Sequence, residues 1–236
     1  MKTLKSLFIL TLAVFMGIST AIAGNSDETQ IRKVENFNAI KVSTGIDLYL
    51  TMGTSEEVKI VADDDIIDDL KTEVKDGTLH IYVKQNNWFN WGGNKTRKAY
   101  VTVTELVALH ASSGSDVRSE NTIKGTSLEV KASSGSDVVL DVFYKNLSVD
   151  TSSGSDAKIS GRVKTLEAES SSGSDIKAEG LEAQIGKLKA SSGSDITVTV
   201  TDELYARASS GSDIKYYGNP QIRDTDESSG GDVRHK

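Results

Sequence analysis

The pentapeptide Ser-Ser-Gly-Ser-Asp occurs six times from Ser112 onward, and a seventh copy differs only at its fourth position. Successive copies of the central glycine are separated by 18 to 21 residues. A near-constant interval of this length is typical of a solenoid, in which each repeat forms one coil that stacks on the coil before it. The seven glycines are Gly114, Gly135, Gly154, Gly173, Gly193, Gly211 and Gly230.

Side-chain alternation within the repeat predicts strands. When the glycine is numbered 0, positions −5, −3 and +3 are mostly apolar, and the positions between them are mostly polar or charged. This period of two is that of a half-buried strand. A coil of about 20 residues cannot bury its own apolar face, so successive coils must stack. We therefore predict an all-β fold, a single-stranded right-handed parallel β-helix.

The region before the repeats predicts a less regular β part of the same stack. Gly45 and Asp47 stand at positions 0 and +2 of a degenerate copy of the repeat. Asp76-Gly77 suits a hairpin turn, and residues 63–70 are expected to form one or two helical turns. The segments that alternate as strands are residues 37–42, 46–52, 57–61, 78–84 and 99–105.

The N-terminus has the pattern of a signal peptide. Lys2 and Lys5 precede an apolar run over residues 7–18, and Ala21-Ile22-Ala23 fits a small-residue cleavage site. This run is shorter than the ~20 residues that a membrane span needs. We expect an exported protein without a transmembrane span after cleavage, located in the periplasm, on the outer cell surface or outside the cell.

These patterns predict one folded domain. The expected order is a signal peptide over 1–23, a flexible segment over 24–36 and a β-helical domain over 37–236. Within that domain we expect residues 37–105 to be irregular and residues 106–236 to form the regular coils.

Composition narrows the classes of function. The formal net charge is −7, which disfavours nucleic acid as a partner. The absence of cysteine excludes disulfides, thiolate nucleophiles and thiolate metal sites. No histidine recurs with the repeated Ser and Asp, so the repeat contains no catalytic triad. We predict no catalytic residue and no cofactor, with a carbohydrate-active β-helix enzyme as the competing class.

The repeated aspartates at position +2 allow two interpretations. Stacked ~4.8 Å apart, neighbouring carboxylates would repel by ~0.9 kcal/mol even in water. Position +4 is Lys or Arg in five of the seven copies, and these cations would offset the repulsion. We favour a structural role in the turn. The alternative is a calcium-stabilised, β-roll-like surface protein, with ligands from Asp116, Asp137, Asp156, Asp175, Asp195 and Asp213.

An aromatic segment over residues 86–94 departs most from the general pattern. It contains both tryptophans of the chain among several asparagines. Exposed aromatic rings beside amides suit a sugar ring or a protein partner. We favour a structural role, in which the rings fold back and cover the open N-terminal end of the core. The candidate ligand contacts are Trp88, Phe89, Asn90 and Trp91.

Three segments resemble the head GIN domain family of putative auto-transporter adhesins. They are Phe37–Val42, Gly45–Leu48 and Val74–Leu79, and the later Ser-Gly-Ser-Asp coils resemble the β-helical half of that family. Asp47 stands where the name-giving asparagine would be. The resemblance implies an exported β-helix. We therefore expect a non-enzymatic, adhesin-like binding or structural module, with a glycan or a cell-surface protein as partner and a homo-oligomer as a compatible state.

Overall fold

The computed structural model describes residues 27–84 and 95–236. These residues form 17 strands and no helix, and none of them provides an apolar helix of membrane-spanning length. The strands build a β-solenoid of about seven turns with about 19 residues per coil and a less regular N-terminal part. The predicted fold class is therefore confirmed. The predicted signal peptide lies outside the described residues.

The strands fall into two groups. The N-terminal group is β1 (Asp27–Arg32), β2 (Ala39–Val42), β3 (Asp47–Met52), β4 (Glu57–Asp63), β5 (Leu70–Lys75), β6 (Thr78–Val83) and β7 (Arg97–Val103). The regular group is β8 (Ala108–Ser112), β9 (Val117–Ser119), β10 (Ile123–Ser133), β11 (Asp137–Ser152), β12 (Asp156–Ser170), β13 (Asp175–Ala190), β14 (Asp195–Ser209), β15 (Asp213–Tyr217), β16 (Ile222–Ser228) and β17 (Asp232–His235).

Each regular coil has two sheet faces that meet at the Ser-Ser-Gly-Ser-Asp sequence, which we call the corner. The leading face is formed by the residues just before the corner, and the trailing face by those just after it. All strands in this region pair in parallel with the equivalent strand of the next coil. Identical repeat positions therefore stack in columns. The aspartates from Asp137 to Asp232 form one such column.

The core lies between the two faces. The residues at position +3 are buried in every regular coil except the last, where Val233 is only partly buried. Positions −5 and −3 are buried from Leu109 and Ala111 through Ala206 and Ala208. The predicted inward direction of these positions is confirmed. Burial of these aliphatic columns against the neighbouring coils is the main force that holds the stack together.

Coil length varies between position +4 and the side opposite the corner. We call this side the far bend; it comprises residues 143–146, 162–165 and 182–185. Lys158 pairs with Lys177, but Gly161 pairs with Leu181, so β13 contains one extra residue at this point. The pairing of β13 with β14 changes register at two further points, between Ala178 and Glu182 and between Ala183 and Ile185. The spacing differences seen in the sequence are therefore absorbed between position +4 and the far bend, and the corner keeps its register.

The degenerate repeat around Gly45 forms a true coil. Strands β2 and β3 pair in parallel with β8 and β9 on one side and with β6 and β7 on the other. Thr44 and Gly45 both have positive φ, at 71° and 68°, like the Ser-Gly pairs of the regular corners. The interpretation of Gly45 as position 0 is confirmed.

Antiparallel strands close the N-terminal end of the stack. β4 pairs with β7, and β5 forms a hairpin with β6 through Asp76 and Gly77, whose positive φ values confirm the predicted turn. The segment 24–36, expected to be flexible, contains β1, which pairs with β4 along its whole length. Backbone pairing with an exposed strand edge holds residues 27–32 in an extended conformation.

The helical turns predicted over residues 63–70 are wrong, because the structure has a succession of tight turns there. The amides of Ile66 and Ile67 both donate to the Asp63 carbonyl, at 3.0 and 3.1 Å, but no helix propagates from this nucleus. These few residues must cross from β4 on the trailing face to β5 on the leading face, and both isoleucines are buried there. Burial of these two side chains therefore outweighs local helix propensity.

Candidate functional site

The corner reverses the chain with two consecutive left-handed residues. The serine at position −1 has φ of 49° to 58° in all seven copies, and the following glycine has φ of 68° to 78°. A Cβ added at any of these seven glycines would meet no heavy atom within 4 Å. Glycine is therefore favoured here because it adopts positive φ without strain, and not because a larger side chain would clash with a neighbour.

Backbone hydrogen bonds continue from coil to coil through the corner. The Gly135 amide donates to the Ser153 carbonyl of the next coil at 3.2 Å, and the Asp156 amide donates to the Ser136 carbonyl of the previous coil at 3.2 Å. The same two bonds recur in the neighbouring coils. The turn therefore contributes to the stacking ladder and is not merely a connection between strands.

The serine at position +1 is fully buried, a feature that the sequence analysis did not identify. Its parity is that of the apolar positions, which is the signal that could have revealed it. Ser194 Oγ accepts from the Ser191 amide at 3.1 Å and lies 2.7 Å from the Ser170 carbonyl of the previous coil, to which it donates. A buried hydroxyl with these partners pays little desolvation cost and ties two coils together.

The altered seventh copy has a packing reason. Gly231 replaces the buried serine there, and a Cβ at this residue would lie 2.3 Å from the Ala208 carbonyl carbon. The last corner therefore packs directly against the backbone of the coil beneath it, and a side chain cannot fit.

Lysines bridge the aspartate column. Lys177 Nζ lies 2.8 Å from Asp156 Oδ2 and 3.3 Å from Asp175 Oδ2. Lys215 Nζ lies 3.3 Å from Asp195 Oδ2 and 3.6 Å from Asp213 Oδ2. An ammonium group thus stands between successive carboxylates, in the position that a cation would need to occupy. Within residues 27–84 and 95–236, no group of three or more His, Asp or Glu side chains is arranged to hold a metal ion.

Asp137 lacks this compensation. Position +4 of its coil is Val139, and Asp137 lies between Asp116 and Asp156 in the column. Partial loss of water at the crowded corner, followed by repulsion from Asp116 and Asp156, raises the pKa of Asp137 above its usual value. The charged form of Asp137 therefore destabilises the fold, and this destabilisation is relieved as the pH falls through the raised pKa.

We expect Val139→Lys to stabilise the protein by up to ~1 kcal/mol at pH 7, because the new ammonium would bridge Asp137 and a neighbouring carboxylate. The gain should be present above the pKa of Asp137 and shrink as the pH falls through it, since a neutral Asp137 needs no counter-ion. Urea unfolding at pH 7 and in acid measures both effects. Val139→Met, of similar length but uncharged, is the control, and equal stability of the two variants at pH 7 would contradict the expectation.

The aromatic segment over residues 86–94 is not among the described residues. Trp88, Phe89, Asn90 and Trp91 lie outside the described residues, between the end of β6 at Val83 and the start of β7 at Arg97. Their assignment as ligand contacts stays a prediction.

Two concavities of the described surface lie beside charged side chains. One, of about 600 Å³, lies on the leading face over charged side chains of five coils. Its acids and bases neutralise each other, as in the Lys131–Glu129 and Lys187–Glu167 pairs at 2.6 and 2.8 Å. Ion pairs of this exposed kind make a solvated surface with little preference for a ligand.

The second concavity, of about 430 Å³, lies at the far bend. It contains Phe143, whose side chain is 59% exposed, together with Lys145, Arg162 and Lys164. The sequence analysis missed this residue. Its signal was an aromatic side chain at a position whose parity is that of the polar residues.

Comparison with solved structures finds the same fold. The chain resembles a putative adhesin from Bacteroides fragilis at 23% identity and a TM-score of 0.84, with 90% of this chain and 98% of the other covered. A putative adhesin from Parabacteroides distasonis gives 20% identity and 0.71 with the same coverage. A structure described as a putative lipid binding protein from the same species gives 21% and 0.67, also with 90% and 98% covered.

Comparison with protein families gives the identity of the domain. No curated protein matches the chain. The model of the family described as putative auto-transporter adhesin, head GIN domain, matches residues 36–220. This range includes the degenerate coil around Gly45 and the corners from Gly114 to Gly211. The chain therefore belongs to the head GIN domain family of putative auto-transporter adhesins.

Proposed function

We propose that this chain is an exported, non-enzymatic binding module of the cell envelope, with adhesin-like activity toward a glycan or a cell-surface protein. The observation that carries the proposal is the constant register of the corner through the regular coils. The Asp137, Asp156, Asp175, Asp195 and Asp213 positions pair without a shift. A scaffold of this kind presents fixed columns of side chains to a partner.

The distribution of irregularity supports binding over catalysis. A catalytic site needs a nucleophile, acid or base in a particular geometry, and it should interrupt the repeat locally. The corner contains instead serines bonded to backbone carbonyls and aspartates bridged by lysines. Through these contacts the repeated Ser and Asp side chains stabilise the fold. The adhesin label of the family supports the same class of function.

Binding of purified residues 24–236 to a broad glycan array and to intact bacterial or host cells tests the proposal. Saturable binding to a defined glycan or cell-surface protein, without release of shortened glycan products, is expected. Turnover of a polysaccharide would instead establish the enzyme class.

Export is tested separately by fractionating cells that express the full chain. A mature protein cleaved after Ala23 and found outside the cytoplasm is expected. Deletion of residues 2–23 should retain the protein in the cytoplasm, and an uncleaved protein there in both cases would contradict export.

A further inference from the structure

Phe143 is an exposed aromatic side chain held on a rigid strand. It points outward from β11, and its register partners in the adjacent coils are Lys124 and Arg162. Burying a phenylalanine is worth roughly 1.5–3 kcal/mol, so a 59% exposed one on a strand, with cations on both sides, is informative. Phe143 therefore does not contribute that full stabilisation to the fold, and its exposed ring is accessible to a binding partner.

Cations surround this ring on a chain whose net charge is −7. Arg162 Nη2 forms an ion pair with Glu182 Oε2 at 3.2 Å, and both side chains are exposed. Lys145 and Lys164 are exposed one coil apart, and neither takes part in any ion pair formed by residues 27–84 and 95–236. The local charge is therefore positive, which favours an anionic occupant. We call Lys124, Phe143, Lys145, Arg162 and Lys164 the Phe143 patch.

The floor of the Phe143 patch is fixed. Tyr144 points inward beside Phe143 and donates from its hydroxyl to the Leu106 carbonyl at 2.8 Å. Gly125 packs against this ring, because a Cβ there would lie 2.6 Å from Tyr144 Cε1. A site on packed strands needs little ordering when it binds, which favours affinity.

The location of the Phe143 patch also separates it from the conserved geometry of the corner. It lies on the far bend, away from the corner, and Lys124, Phe143 and Arg162 pair there without a register shift. The corner, in contrast, repeats the same backbone hydrogen bonds from coil to coil.

We propose that the Phe143 patch binds a carboxylated glycan, an inference that rests on the proposed binding function. The Phe143 ring would pack against the C–H face of a sugar ring, and Lys145, Lys164 and Arg162 would bind its carboxylate. The projecting Phe143 ring offers a flat apolar face beside these cations. The volume of about 430 Å³ is in the range of small-ligand sites.

The test uses polygalacturonate, alginate and sialylated and glucuronate-containing oligosaccharides as carboxylated probes, with methyl-esterified polygalacturonate as the neutral match. Titration calorimetry should detect binding to at least one carboxylated probe, and esterification should weaken binding to polygalacturonate at least about tenfold where that is the ligand. Phe143→Ala and the Lys145→Ala/Lys164→Ala double variant should each weaken the same binding at least about tenfold. Each exposed substitution should leave the melting temperature unchanged.

A matched control separates a site from general charge attraction. The Lys187→Ala/Lys189→Ala variant removes two exposed lysines from the leading face and should leave binding unchanged. An equal loss in this control, or equal binding of poly-glutamate, would overturn the proposal. Failure of all carboxylated probes would overturn it too. If an array detects only neutral glycans or a protein ligand, the proposed binding function stands and this inference fails.

Discussion

Replacing Gly161 by alanine is expected to destabilise the protein by about 3–5 kcal/mol. Gly161 has φ of +112°, which alanine adopts only with strain. A Cβ there would lie 2.0 Å from the Val142 carbonyl oxygen and 2.9 Å from its carbon. Both atoms belong to the backbone of the adjacent strand, so the clash cannot be relieved by a side-chain rotation. The coil must move, and its contacts with β11 and β13 must loosen.

A glycine in the same coil provides the matched control. Gly154 also has positive φ, at 69°, but a Cβ there would meet nothing within 4 Å. Gly154→Ala should therefore cost only the strain of the left-handed conformation, about 1 kcal/mol. Chemical denaturation followed by circular dichroism measures both variants against the parent. Similar losses for the two variants would show that conformation alone, and not the close approach at Gly161, sets the requirement for glycine.

Removing the polar residues of the last coil is expected to make the protein associate end to end. Arg223, Thr225 and Glu227 occupy the columns that Leu204, Ala206 and Ala208 fill one coil earlier. The three earlier residues are buried, whereas the three in β16 are exposed. Polar side chains at inward positions are a known device against association at a sheet edge.

The triple variant Arg223→Leu/Thr225→Ala/Glu227→Ala extends the apolar columns to the free end without changing net charge. We expect the mass measured by light scattering to rise from one chain toward two, because the exposed strand edge and apolar columns would then match a second copy. The control, Arg207→Ala/Asp226→Ala, removes one acid and one base from outward positions of the leading face and should stay monomeric. A monomeric triple variant would mean that other features of the last coil prevent stacking.

The regular part of the fold was predictable because every coil repeats the same requirements. Inward Val117 and Ile176, the glycine at position 0 and the outward aspartate all follow from an alternation of period two. The degenerate coil around Gly45 was recognisable for the same reason. Its register with Ala111 and Val117 needed no information beyond the repeat.

Features that depend on contacts between segments far apart in the sequence were not predictable. The crossing at Ile66 and Ile67 is decided by the need to bury both side chains between two faces, which local sequence does not reveal. The order of β1 comes from its pairing with β4. The Phe143 patch arises because three coils bring Lys124, Phe143 and Arg162 into one file, although they are about 20 residues apart in sequence.

The central claim is that the repeated corner builds the fold with its own serines and lysines and requires no metal ion. The most direct measurement is the melting temperature of residues 24–236 in excess EGTA and in excess calcium. We predict the same value within about 1 °C, because Lys177 and Lys215 already bridge the carboxylates. Calcium at a hundred times its dissociation constant would add ~2.7 kcal/mol, or roughly 5–10 °C for a domain of this size. A rise of that order, reversed by EGTA, would contradict the claim and establish the calcium-stabilised alternative.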